Sequence, residues 1–168
     1  MGKRIIVEND KVEGTDKHNV KGDATNPSAP PPSVPNSVWV AEYDYKGKIT
    51  EQLSDFVRIS GKPLAVKTSK SSLNPGEATA PAGSHSGPKG RNFIPLTPPP
   101  FPAKITDLKI TDSVGEGKPS ANAGSSFVKV GGVAVLLDGN KIDTCDGTSK
   151  PMNSTVTSEN QDFVACSE

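Results

Sequence analysis

The sequence predicts a small all-β domain in which short hairpins repeat around one axis and long loops rich in proline and glycine join them. The main observation is a phrase that occurs twice and begins a third time, at residues 54–66, 125–136 and 161–166. The first two copies read as strands that reach a glycine turn. A repeated hairpin that cannot cover its own apolar face packs against its siblings, so the repetition indicates a quasi-symmetric body.

Composition favours a β body with a narrow core. Apolar residues make up 32% of the 168 residues, and 16 glycines and 16 prolines lie between the apolar runs, where turns are needed. The 19 basic and 19 acidic residues cancel, and neither sign forms a long run. This balance argues against a nucleic acid partner and against a membrane-surface patch.

The first residues predict neither a signal peptide nor a membrane span. Lys3 and Arg4 interrupt the sequence before an apolar signal region develops, and no run approaches the roughly 18 apolar residues of a span. We therefore expect synthesis in the cytoplasm without a signal peptide. In that reducing compartment, cysteines more often stay free or bind metal than form disulfides.

Residues 1–37 are predicted to form an N-terminal extension ahead of a β domain at residues 38–168. Residues 3–24 alternate weakly and favour one or two short strands. Residues 25–37 hold a proline-rich strap that we expect to lie extended as polyproline II, because proline has no amide donor for a strand ladder.

The β domain carries its strand signals in several short runs. Residues 39–45 alternate at strand period and hold the tryptophan and both tyrosines, which we expect to be a structural anchor. In the first repeat, Val57 and Ile59 share one face, whereas Phe56 and Arg58 share the other. Further strands are expected at residues 105–112, 125–137 and 153–166, after a long irregular stretch at residues 74–102.

The sequence contains no complete enzyme motif. Gly117-Lys118-Pro119 ends like a phosphate loop, but proline stands where a serine or threonine would hold magnesium. Asp138 and Asp146 each precede a glycine, which is more typical of turn residues than of acid catalysts. We therefore predict that this protein is not an enzyme.

Metal binding is the strongest candidate chemistry in the sequence. The complete set of histidines and cysteines is His18, His85, Cys145 and Cys166. Two imidazoles and two thiolates match a closed zinc site, although none has a partner at zinc-finger spacing, so the fold would have to bring distant turns together. Such a site would contribute on the order of 10 kcal/mol to folding. For the two cysteines, free thiols and a mutual disulfide remain alternatives.

The repeat and the residues after its second copy resemble the PAAR-repeat and PAAR-like proteins. Pro63-Leu64-Ala65-Val66 and Ala134-Val135-Leu136-Leu137 stand where the family has its Pro-Ala-Ala-Arg stretch, so the arginine is missing and one copy keeps the proline. Thr144-Cys145-Asp146-Gly147 and Met152-Asn153-Ser154-Thr155-Val156 resemble runs of diverged members. The resemblance covers about residues 54–166.

This resemblance implies a pyramidal or conical β domain that caps the trimeric spike of a contractile injection system, such as type VI secretion. One copy would sit on each VgrG-like trimer and touch the target membrane only mechanically, and a toxin effector would be a further partner. A structural zinc ion, with iron as the other candidate, would lie near the apex with His85, Cys145 and Cys166 among its ligands. The chain would be assembled at the tip of the particle and delivered outside the cell or into the target cell.

Two other classes stay open. A secreted β-rich carbohydrate-binding or adhesion module would present clustered aromatic rings, for which the candidates are Trp39, Tyr43 and Tyr45. A small metalloenzyme would need an open metal position beside an acid or base. One tightly held zinc ion would favour the spike tip, whereas a disulfide without metal would favour the secreted module.

Overall fold

The regular secondary structure of the described residues consists of strands alone, which confirms the predicted all-β class. The computed structural model describes residues 2–26, 28, 34–73, 90–97, 99, 100, 102–111, 114–145 and 154–168. In chain order the strands are β1 (Lys3–Arg4), β2 (Lys11–Thr25), β3 (Val34–Glu51), β4 (Arg58–Ile59), β5 (Lys62–Pro63), β6 (Lys70–Leu73), β7 (Arg91–Pro95), β8 (Lys104–Ile110), β9 (Val114–Pro119), β10 (Lys129–Val130), β11 (Val133–Ala134), β12 (Lys141–Cys145), β13 (Ser154–Thr157) and β14 (Ala165–Cys166).

Three short hairpins surround a closed ring of hydrogen bonds. β4 pairs with β5, β10 pairs with β11, and β14 pairs with β1 from the opposite end of the sequence. Each hairpin leads into an apolar triplet whose middle residue is Ala65, Leu136 or Ile6. The N–H of Ile6 donates to the carbonyl of Leu136 at 2.9 Å, Leu136 donates to Ala65 at 3.0 Å, and Ala65 donates to Ile6 at 2.9 Å. The cyclic order of these bonds gives the body a threefold pseudosymmetry.

The predicted boundary at residue 37 can be placed relative to the strands. That boundary falls inside β3, and Ile5-Ile6-Val7 completes the third unit that residues 161–166 begin. Three bridges close the triplets, joining Ile5 to Leu137, Val7 to Leu64 and Val66 to Val135. The predicted strap differs, because residues 34–37 belong to β3, whereas residues 27 and 29–33 lie outside the described part.

Six of the strands rise from the ring and line up in the order β6-β3-β2-β13-β12-β9. The outgoing strand of each unit (β6, β2 or β12) alternates with a returning strand. The two ends of this sheet approach each other, because a Cβ atom on Gly117 of β9 would lie 2.3 Å from the carbonyl oxygen of Ser71 in β6. Gly117 also has a φ of +66°. Glycine is therefore required where the sheet curls back on itself.

One unit is much longer than the other two. β2 has 15 residues and β3 has 18, whereas the other four rising strands have between 4 and 6. Beyond the ring, β7 pairs with β3 and β8 pairs with β2, which makes a four-stranded extension in the order β7-β3-β2-β8. At roughly 3.3 Å per residue, β2 covers about 40 Å between Val12 and Ala24.

The core forms three apolar clusters along this direction. The base cluster lies on the hairpin side of the ring: Ile5, Val7, Ile59, Leu64, Val66, Val135 and Leu137. The middle cluster lies on the strand side: Ile6, Val12, Tyr45, Ile49, Ala65, Ala123, Leu136, Ile142 and Val156. The extension has its own cluster: Val20, Ala24, Trp39, Ala41 and Tyr43. The apolar triplets therefore serve both sides of the ring, since their outer residues face the hairpins and their middle residues face the strands.

Candidate docking face

The clearest candidate site is the outer surface of the hairpins, where each unit places one phenylalanine in solvent. Phe56 is 73% exposed, Phe127 is 75% exposed and Phe163 is 66% exposed. We call the surface defined by these three rings the base face. A group of large exposed apolar side chains indicates a binding surface, because burying them against a partner would be favourable through the hydrophobic effect.

Side-chain acceptors fix the start of each hairpin and so the direction of each ring. The three equivalent bonds run from Val57 N–H to Ser54 Oγ (3.1 Å), from Val128 N–H to Ser125 Oγ (3.1 Å) and from Val164 N–H to Gln161 Oε1 (2.8 Å). The valine that follows each phenylalanine packs against the base cluster. Each phenylalanine lies in the bend that this bond closes, before the strand begins, and its ring remains in solvent while the next valine is packed inward.

Two hairpins close through tight turns and the third closes without one. Ser60 and Gly61 have φ values of 50° and 79°, and Gly131 and Gly132 have φ values of 57° and 81°, which is the pattern of type I′ turns. In the third hairpin, the register is Lys3 with Cys166 and Arg4 with Ala165. The three hairpins are therefore built alike although one of them joins distant parts of the sequence.

The base face carries charges of both signs. Asp55 and Asp162 are exposed directly before a phenylalanine, and Arg58 and Lys129 are exposed two residues after one. The third unit has Ala165 at the position of Arg58 and Lys129, but its exposed Arg4 lies directly opposite Ala165 in the pair. What the three units share at this surface is therefore the aromatic ring, whereas the charges differ from unit to unit.

The two predicted metal ligands whose side chains the structure describes, His18 and Cys166, lie in different parts of the fold. His18 is fully buried in β2, and Cys166 is a half-buried free thiol in β14. Cys145 ends β12, but its side chain and the whole of His85 lie outside the described part. Cys166 packs on the base cluster at the position that Ile59 and Val130 hold in the other hairpins. The thiol there fills an apolar position.

A buried polar layer, which the sequence analysis missed, surrounds His18. The hydroxyl of Thr144 donates to Asp16 Oδ1 at 2.9 Å and lies 2.6 Å from the hydroxyl of Ser154. His18 Nε2 lies 3.8 Å from Asp16 Oδ2. The imidazole meets the ring of Tyr43 edge-on with centroids 6.0 Å apart, and burial raises the pKa of Tyr43. The spacing Asp16-x-His18 in an alternating strand is the signal that places both side chains on one face.

The zinc site stays a prediction. Within the described ranges, no group of three or more histidine, cysteine, aspartate or glutamate residues stands where it would hold a metal ion. Two of the four predicted ligands have side chains outside those ranges.

Comparison with known proteins gives no relative for this chain. No family model, no curated protein and no solved structure matches it. Across the described part of the chain, no helix is long and apolar enough to span a membrane.

Proposed function

We propose that this protein is a structural tip that caps the flat end of a trimeric spike, as the resemblance to PAAR-like proteins implies. The observation that carries the proposal is the base face, where Phe56, Phe127 and Phe163 occupy equivalent positions around a pseudo-threefold ring. A single chain that offers the same contact three times matches a partner made of three identical subunits.

The proposed stoichiometry is one chain per trimer. Each phenylalanine would enter an equal apolar socket on one of the three partner subunits, and exposed aromatic rings are typical anchors of protein interfaces. The charges at the rim differ between units, so identical sockets cannot be matched to all of them. The rings therefore supply the common binding energy, and the rim charges tune the rate of encounter.

The part of the protein between the base face and the extension has the rigid construction that transmitting force requires. Backbone hydrogen bonds link the three units in a closed ring at 2.9–3.0 Å. Buried side chains fill both sides of that ring, and close-packed interiors have low compressibility. We propose that this construction keeps a narrow tip rigid as a contractile particle pushes it through a membrane, where it would belong to a type VI-like injection system.

The aromatic cluster does not favour the alternative of a carbohydrate-binding module. Trp39, Tyr43 and Tyr45 are 6%, 4% and 2% exposed. The indole N–H of Trp39 donates to Ser37 Oγ at 2.8 Å, and the hydroxyl of Tyr45 lies 2.8 Å from Ser71 Oγ. These rings are part of the core, as expected of a structural anchor, and they offer no stacking surface for a sugar.

The test is to mix the purified chain with candidate VgrG-like trimeric spikes and to measure the mass of the complex by light scattering. We expect one chain per trimer. A Phe127→Ser variant should bind roughly 30-fold more weakly, because a buried aromatic anchor contributes about 2 kcal/mol or more. The matched control is Leu96→Ser, since Leu96 is also exposed, at 59%, but lies beside the extension. Two or more chains per trimer, or no binding to any spike, would contradict the proposal.

A further inference from the structure

The base face offers three exposed aromatic rings to a partner before any spike is present. Its three rings are between 66% and 75% exposed, and the other large apolar side chains exposed in the described ranges, Val34, Ile94 and Leu96, lie in or beside the extension. We propose that the free protein covers this face by pairing base to base with a second copy of itself. This inference rests on the proposed function only because both use the base face. A second copy on that face would compete with the spike for it.

The geometry of the base face suits self-pairing. Three equivalent rings stand around one pseudo-threefold axis, so turning a second copy over places three rings opposite the gaps between the first three. A twofold arrangement of this kind is closed, because both copies use the same surface, and it cannot grow into a fibre. The pairing therefore buries all six rings at once and stops at a dimer.

The charges of the base face permit self-pairing. Asp55 and Asp162 carry two negative charges beside the rings, and Arg4, Arg58 and Lys129 carry three positive charges. Each copy therefore carries charges of both signs with one basic residue in excess, and the acidic residues of one copy have basic residues available on the other. A strongly charged rim of one sign would have kept the copies apart.

The contact area predicts a weak and reversible dimer. A phenylalanine buries about 150–250 Å² of surface, so three rings that are about 70% exposed supply about 400 Å² per copy and about 800 Å² in the pair. Stable interfaces bury about 1,200 Å² or more in total. The dimer is therefore expected to form at micromolar concentration and to give way to a partner that binds the same rings more tightly.

Sedimentation velocity of the full chain, from about 1 to about 200 μM, tests the inference. We expect a monomer that converts to a dimer within this range. Phe127→Ser should move the midpoint at least about tenfold higher in concentration, whereas the exposed control Leu96→Ser should leave it within about twofold. A monomer at every concentration, a larger oligomer, or an equal effect of Leu96→Ser would overturn the inference.

Adding a trimeric spike separates this inference from the proposed function. If both hold, the spike converts the dimer into complexes with one chain per trimer. If the dimer forms and no spike binds, self-pairing stands and the spike-tip function fails. If the chain is always monomeric yet binds one per trimer, the function stands and self-pairing fails.

Discussion

Each of the three units has a polar side chain at the same position: Asp10, Ser69 or Asn140. The three side chains accept the same backbone hydrogen bond with different functional groups. Each accepts the backbone N–H of the residue three positions earlier, at 2.8–2.9 Å. Asp10 is fully buried, and its Oδ1 also accepts the N–H groups of Glu159 and Asn160 and the side-chain amide of Asn160, each at 2.9 Å. The third unit, assembled from distant segments, thus depends on one buried carboxylate.

Replacing Asp10 should therefore destabilise the fold more than replacing its counterpart Ser69. In Asp10→Asn one carboxylate oxygen becomes an amide nitrogen that faces N–H donors, so we expect a loss of about 2–3 kcal/mol in the free energy of unfolding. Ser69→Ala should lose about 1 kcal/mol. Urea unfolding measures both, with the exposed Glu13→Gln as a control. Equal losses at the two positions would contradict this interpretation.

The ring and the base face should respond to substitution in opposite ways. Leu136 is fully buried in the ring, so Leu136→Ala should lower the free energy of unfolding by about 3–4 kcal/mol. Phe127 is 75% exposed, so Phe127→Ser should change it by less than about 0.5 kcal/mol. Thermal unfolding of the two variants measures the contrast. A large loss in Phe127→Ser would mean that the exposed ring serves folding instead of binding.

A group of charges joins β7 to β3 in the extension. Arg91 Nη2 lies 2.6 Å from Asp44 Oδ1, and the amide of Asn92 donates to Glu42 Oε2 at 2.6 Å. The hydrogen bond from Arg91 lowers the pKa of Asp44, and the hydrogen bond from Asn92 lowers the pKa of Glu42. Both carboxylates are near the surface, so the effect on this pairing is local.

Acid should loosen β7 before the rest of the sheet. The two folded-state pKa values lie below their ordinary values of 3.8 and 4.5, so the contacts stabilise the pairing above that range and are lost as the pH falls through the lowered values. We expect amide exchange in β7, corrected for its intrinsic pH dependence, to accelerate below about pH 4. Arg91→Gln should remove much of this acceleration. Equal pH dependence in both proteins would contradict the assignment.

The strands that the sequence predicted are those whose apolar alternation is complete. The strand at residues 39–45 was predicted correctly because each of its buried positions holds an apolar residue. β2 was recognised only in part, since Asp16 and His18 occupy inner positions and break the alternation. The third unit was predicted only in its first half, at residues 161–166. Its second half, Ile5-Ile6-Val7, was not predicted because a repeat is recognised along the chain, whereas this segment pairs with residues about 160 positions away.

The molecule as a whole should tolerate new chain ends in its hairpin turns. β14 and β1 already form a hairpin between distant residues, so a short linker from residue 168 to residue 2 with new ends between Gly131 and Gly132 keeps every strand pair. We expect this permuted protein to melt within about 10 °C of the original. Opening the chain between Ala65 and Val66 interrupts the ring and should prevent folding. Similar melting of both variants, followed by circular dichroism, would contradict the ring as the centre of the fold.

The three units differ in length, which is impossible in a homotrimer of identical chains. Any insertion in a homotrimer appears three times, and three long hairpins would crowd one another at a narrowing end. A single polypeptide with three related segments can enlarge one of them and leave the others short, as the 15 and 18 residues of β2 and β3 show. The chain thereby keeps three equivalent hairpins at one end, while a single long extension changes the other end.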